Sequence, residues 1–378
     1  MIGELLAGMA FGPSLLGHFA PAVAAVLVPR AVLTNLALLS QVGMALYMFL
    51  VGLELSADHV RTRARTAMTI SPVAIGLPFL MGVLLARTAF APFHGASSTT
   101  WTFPIFLGIA LSITAFPVLA RILRDRGLLQ TDLGATALTC AATNDVTVWC
   151  LMAVLIGLTK GSTGQALLTT ALALAFIAAM FVAVRPLATR LTDAHGRSAG
   201  LAPVAWLALI GTASAVATHA LGIHAVFGAF VAGLIVPHDS AAADILARGL
   251  RWPVAVLLPA FFAVSGLRTE LFGIPGLHGW LLCLLLVATA MLGTGGGAAL
   301  AGRGQGMAWR EAARLGVLLS TRGLMELVVA NIGLELGLIG PALFSMLVVM
   351  ALVTTVATSP LLAALEPALQ SPGARSTR

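Results

Sequence analysis

Residues 133–158 read LGATALTCAATNDVTVWCLMAVLIGL, twenty-six positions with one charged side chain, Asp145. A helix of that length rises about 39 Å, enough to cross the roughly 30 Å hydrocarbon core of a bilayer. Asn144-Asp145 then falls near its centre. A carboxylate at that depth costs several kcal/mol unless it is hydrated, paired or protonated, so keeping one there marks a functional site. If the position served only as interhelical glue, Asn or Ser would do the same work at lower cost.

The rest of the chain supports a membrane setting. Of 378 residues, 59% are hydrophobic and 9% are charged, against about 25% charged in an ordinary soluble domain. Mean hydropathy is +1.01. Tyr occurs once and the apolar runs are long and smooth, unlike the alternating segments of a transmembrane barrel. The expected class is therefore all-α, a polytopic helical membrane protein. The net charge of +7 is spread between apolar segments, with no basic patch carrying interleaved aromatics, which argues against a nucleic-acid partner. Cys140, Cys150 and Cys283 all lie in apolar runs and read as reduced packing residues. No signal-peptide pattern opens the chain.

Twelve stretches are long and apolar enough to cross, some of them broken: about 1–20, 32–54, 66–88, 101–121, 133–158, 164–184, 200–220, 222–237, 252–267, 278–300, 312–334 and 340–363. Basic residues test that count, because cytoplasmic loops collect Lys and Arg. One side receives sixteen, from Arg61 to Arg378, the other receives Arg30, Arg87, Lys160 and Arg268, and Arg322 lies inside a span. Both termini are thus expected in the cytoplasm, in a single membrane domain with no soluble regulatory module. In that orientation 66–158 and 278–363 form two three-helix units of opposite direction. Inverted repeats of this kind are common in secondary transporters, whose sites sit at the midplane on discontinuous helices. The middle helix of each unit carries a break, SITAFP from Ser112 and STRG from Ser320.

Other candidates follow from these breaks. Arg322 and Glu326 lie four apart and can meet on one helix face, so Glu326 or Asp145 is expected to neutralise the arginine, with a structural pair that fixes the helix and direct contact with the ion standing level as roles. Glu4 and Glu54 sit near span ends, where solvation or capping accounts for them. No group of His, Cys and carboxylates has a metal-ligand spacing, and no cofactor motif is present. Gly293-Thr294-Gly295-Gly296-Gly297 lacks the Lys-Ser/Thr ending of a phosphate loop and reads as close helix packing.

Six motifs in order carry a resemblance: Gly3 to Gly8 (GELLAG) with Gly12 to Gly17 (GPSLLG), Ser112 to Arg121 (SITAFPVLAR), Thr143-Asn144-Asp145, Ile223 to Gly233 (IHAVFGAFVAG), Leu258 to Leu267 (LPAFFAVSGL) and Ser320 to Leu327 (STRGLMEL). Together they resemble the monovalent cation:proton antiporter superfamily, nearest its Kef-type and plant cation/H⁺ exchanger branch. The resemblance implies a fold with two crossed broken helices. A mobile core (about 66–158 and 278–363) would move past dimerisation and scaffold helices (about 1–54 and 200–267) in an elevator-like step within a homodimer. It also implies that Asp145 binds the ion and the proton, that Asn144 is its neighbour, and that Thr114 offers an oxygen to the cation. Arg322 and Glu326 match the second broken helix, with Ser112, Ser320, Thr321 and Glu4 as further candidates. Two departures stand out. Thr294 falls where many relatives carry a lysine, which leaves any such role to Arg322. Met1-Ile2-Gly3-Glu4 falls where relatives have already completed an additional first helix, a departure that raises the expectation of an internal start and bears on the dimer interface.

The expected activity is exchange of Na⁺ or K⁺ for protons across the cell (inner) membrane, one for one, because a carboxylate that holds either ion but never both couples the two flows. The rivals are a sodium-coupled organic-anion symporter on the same architecture, which calls for a wider cavity and two cation clusters, an integral-membrane enzyme, which calls for surface catalytic motifs, and a membrane scaffold, which has no use for Asp145.

Overall fold

The computed structural model describes residues 2–27, 29–54, 64–129, 131–159, 163–193, 201–221, 224–237 and 240–365. Arg61, Arg63, Lys160, Arg197, Ile223, Arg375 and Arg378 lie outside the described residues. Among those described, the regular elements are helices, joined by one isolated bridge between His94 and Ile339. The chain runs through Ile2–Phe11 (α1), Leu16–Phe19 (α2), Pro21–Leu27 (α3), Arg30–Glu54 (α4) and Ala64–Arg87 (α5). Thr102–Ser112 (α6), Phe116–Asp125 (α7) and Asp132–Thr159 (α8) follow. Thr163–Ala179 (α9) passes through a π turn into Arg185–Asp193 (α10), and then come Leu201–Ala220 (α11), Ala225–Ile235 (α12) and Ala241–Leu267 (α13). Gly276–Ala290 (α14) passes through another π turn into Gly297–Gly304 (α15). Trp309–Leu319 (α16), Leu324–Glu335 (α17) and Pro341–Leu365 (α18) complete it.

Among the described residues, eight helical segments have the length and composition to cross a membrane, and they coincide with eight of the twelve stretches read from the sequence. Of the other four, three have an interrupted backbone and the fourth holds a short helix. The first stops at Phe11, ahead of Gly12-Pro13, since a proline disfavours helical geometry in the residue before it. The turn that follows is pinned by Ser14, whose hydroxyl donates to Thr269 O at 2.5 Å and accepts from Leu271 N at 3.1 Å. The stretches 101–121 and 312–334 are each split into two half-helices, α6 with α7 and α16 with α17. The stretch 222–237 is reduced to the eleven residues of α12, capped where His224 Nδ1 accepts from Val226 N at 3.4 Å.

Several boundaries differ from the sequence reading, and the stretch 164–184 continues through the π turn to Asp193, so that Arg185 and Arg190 are helical. The stretch 252–267 starts eleven residues early, at Ala241, so Arg248 and Arg251 are helical rather than in a loop. Ser240 supplies the start: its hydroxyl accepts from Ala243 N at 3.2 Å, satisfying one of the amides that a helix N-terminus leaves free.

The helices pack in two sets. The backbones of α1, α4, α11 and α12 lie against one another or against α13, and those of α5 to α8 lie against one another and against α14 to α18. Within the first set, α1 meets α13 at Gly8 and Gly266, and α4 meets α12 at Gly52 and Gly233, where a Cβ on either side would overlap the facing backbone. Such small-residue seams bring helices together in a membrane, where burial against lipid gives no net drive. The helix α8 is the most enclosed of the eight spans, with 61% of its apolar window buried against 17% for Ala171–Thr192. The segment carrying Asp145 is therefore central and α9 with α10 is peripheral.

Candidate ion-binding site

The two breaks meet. Residues 113–115 separate α6 from α7, and 320–323 separate α16 from α17. Ala115 N donates to Thr321 O at 2.9 Å, and Thr114 Oγ1 donates to Leu319 O at 2.8 Å. Each break thus supplies partners for backbone groups that the other frees, as nonhelical backbone at membrane depth requires. Thr355, on α18, contributes another bond by donating from Oγ1 to Arg322 O at 2.6 Å.

Asp145 and Asn144 face this junction from α8. Both are buried, at 2% and 0% exposure. The backbone amide of Phe116, the first residue of α7, lies near the Asp145 carboxylate, so the carboxylate sits by the positive end of a half-helix. Asn144 Nδ2 donates to Thr114 Oγ1 at 3.3 Å. That direction follows from proton accounting: the Thr114 hydroxyl hydrogen is already directed to Leu319 O, so Thr114 can only accept from Asn144. The amide oxygen of Asn144 is left facing away. Among the described residues, Asn144 Oδ1 and Asp145 Oδ2 are buried with no hydrogen-bond partner. Two acceptor oxygens without donors are what a desolvated cation needs.

Arg322 does not pair with Asp145. Its Nη1 donates to Glu326 Oε2 at 2.8 Å and to Ala110 O at 2.7 Å, and its Nη2 donates to Leu111 O and reaches Thr294 Oγ1 at 3.4 Å. Both members of the ion pair are fully buried. The guanidinium thus covers the last carbonyls of α6, where a positive charge opposes the helix dipole, while Glu326 lies in the first turn of α17, where a negative charge does. Of the two partners that the sequence leaves open for the arginine, the fold brings it to Glu326.

The remaining candidates are placed as follows. Ser112 Oγ donates to Gly108 O and Ile75 O, and Ser320 Oγ to Gly316 O and Met291 O, so both hydroxyl hydrogens are taken up beside the breaks. Thr321 Oγ1 donates to Thr358 Oγ1 at 3.4 Å. Thr294 lies in the π turn and touches Arg322. In the glycine run around it, Gly295 packs directly on Gly316 of α16, which is the close helix contact read from the sequence. Glu4 stands on α1 against α13, outside this cluster. Glu54 is the last residue of α4. Three contributors were missed: Thr355, Thr358 and the carbonyls of α6. A polar stripe Thr354-Thr355-Thr358 within an otherwise apolar helix was the available signal for the first two.

The profile of the family described as "Sodium/hydrogen exchanger, transmembrane" matches residues 1–364. The chain belongs to that family. The resemblance carried by the six motifs is thereby borne out, and the family is one of multi-pass membrane transporters, not enzymes. The exchanger chain is 39% identical to Na(+)/H(+) antiporter NhaS4 of Synechocystis sp., over 97% of its own length and 91% of that protein's. It is 36% identical to Cation/H(+) antiporter 19 of Arabidopsis thaliana and 31% identical to K(+)/H(+) antiporter 1 of Saccharomyces cerevisiae. It spans 46% and 44% of the length of those two. The structure of the sodium proton antiporter MjNhaP1 from Methanocaldococcus jannaschii superimposes with a TM-score of 0.67 at 14% identity, over 96% of this chain and 89% of that one. At that identity the likeness speaks for the exchanger fold alone.

Proposed function

We propose that this exchanger carries a monovalent cation, Na⁺ or K⁺, in one direction and protons in the other, with Asp145 as the shared carrier. The observation that supports this most is the buried Asp145 carboxylate, with an oxygen lacking any partner, at the junction of two broken helices. Relatives named for Na⁺, for K⁺ and for cations in general agree with the cargo class.

When the site faces one side, the cation takes Asp145 Oδ2 and Asn144 Oδ1 in place of part of its water shell. A proton on the carboxylate removes its charge and its affinity for the cation. Either occupant cancels the negative charge, so the site can move through a low-dielectric barrier full but not empty, and this enforces exchange. Thr114 acts by aiming Asn144, because its own hydroxyl is committed to Leu319. Arg322 and Glu326 neutralise each other and hold the second break against the first, leaving a single titrating carboxylate and one proton per cation.

The architecture we assign has twelve spans in inverted repeats. The set α5 to α8 with α14 to α18 is the moving core, and α1, α4 and α11 to α13 are the scaffold through which two copies associate. The arginine-rich side and the C-terminus face the cytoplasm across the inner membrane. Proteoliposomes with an imposed ΔpH test the reading: Na⁺, K⁺ or Li⁺, added in turn, should dissipate the gradient, and failure of all three overturns it.

A further inference from the structure

Away from the breaks, a second polar network joins the two helix sets at the arginine-poor end of the bundle. Arg268, immediately after α13, donates from Nη1 to Glu335 Oε1 at 2.8 Å and to Asn331 Oδ1 at 3.0 Å, both on α17. Asn331 Nδ2 then donates to Ser265 Oγ, back on α13, at 2.9 Å. Alongside, Glu270 N donates to Ser345 Oγ of α18 at 2.8 Å. The side chains of the ion pair are 31% and 36% exposed, whereas Asn331 is at 7% and Ser265 at 0%. The network therefore runs from a wet rim to a dry floor. A cavity of about 30 Å³ lies beside it, its mixed walls bounded also by Ser40, Gln41 and His224.

The character of this joint differs from the packing within each set. The α1–α13 and α4–α12 seams are close backbone contacts at glycines. Between α13 and α17, side chains make the connection across a wider gap. Parting a partly hydrated ion pair costs little, because water replaces each partner, whereas parting a glycine seam exposes unfilled packing surface. The same α17 carries Glu326 nine residues before Glu335, so whatever moves the break moves this joint.

We infer that Arg268, Glu335, Asn331 and Ser265 form a latch between the two helix sets, which closes the outer end of the transporter in this conformation and opens once in every transport cycle. The four residues are positioning residues and bind no cargo. The inference rests on the exchange reading and on the arginine-poor end facing outward. It predicts that holding the latch shut stops transport although the ion site is untouched.

Ser265→Cys and Asn331→Cys, combined in a background with Cys140, Cys150 and Cys283 replaced, test it. Cation-driven proton movement should fall at least tenfold on oxidation to the disulfide and recover on reduction. Full exchange by the cross-linked protein would overturn the latch, whereas absence of exchange before oxidation, in the wild type as well, would count against the exchange reading instead. A second measurement covers a pair that fails to cross-link. In intact cells, Ser265→Cys alone should react with an externally added, membrane-impermeant maleimide severalfold faster when Arg268→Ala is also present. Equal rates would overturn the latch.

Discussion

Arg322 and Glu326 pair at 2.8 Å with neither side chain exposed, and the guanidinium extends from that pair to the carbonyls of Ala110 and Leu111 on the other broken helix. One side chain thus does two things in the buried interior: it neutralises a carboxylate and closes the frayed end of α6. Removing either partner strands the other charge, and breaking a buried pair costs about 3–5 kcal/mol. Arg322→Ala and Glu326→Ala should each lower the melting temperature in detergent, with the double variant recovering part of the Glu326 loss. Arg322→Lys should recover little, because a lysine lacks the planar fork that serves both carbonyls and the carboxylate. Additive losses in the double variant would argue that the pair is not coupled.

Asp145→Asn keeps the size of the side chain and removes its charge. Exchange should disappear while melting is unchanged or improved, since a buried charge has been replaced by an amide. Cation-driven proton movement surviving in this variant would take the carrier role away from Asp145.

If proton and cation compete for one carboxylate, acid must weaken cation binding. Lowering the pH through the working range should raise the cation concentration needed for half-maximal rate, approaching tenfold per pH unit where the protonated form predominates. Rates at saturating cation should change far less. A half-saturating concentration that stays constant with pH would mean the two ions occupy separate groups.

Thr114→Val keeps the shape but removes the hydroxyl that joins Leu319 to Asn144. Leaving a buried carbonyl and an amide without partners costs about 1–3 kcal/mol. The variant should melt lower and exchange several-fold more slowly, and Thr114→Ser should restore both. Equal behaviour of Val and Ser would show that the hydroxyl is idle.

One proton per cation moves no net charge. Clamping the membrane potential with an ionophore should therefore leave the rate unchanged, and a steep dependence would mean that a second titrating group is at work.

The amino-acid sequence by itself determined the solvent, the element type and the unusual residues. Hydropathy requires a bilayer, twenty-residue periods require helices, and the local residues that interrupt a helix, such as Gly12-Pro13, STRG and SITAFP, can be read wherever they occur because each acts within its own turn. Asp145 stood out for the same reason, since its depth in a long apolar run, which sets the cost of an unpaired charge, is read from the sequence directly. Tertiary structure decided the partners. Whether Arg322 would meet Glu326 or Asp145, whether the Thr114 hydroxyl was free or committed to Leu319, and that Ser265 and Arg268 would reach Asn331 and Glu335 all depend on which helices cross and at what register. A hydrogen bond forms or fails over a few tenths of an ångström, and residues 63 to 212 positions apart in the chain come within that range only after the bundle has packed.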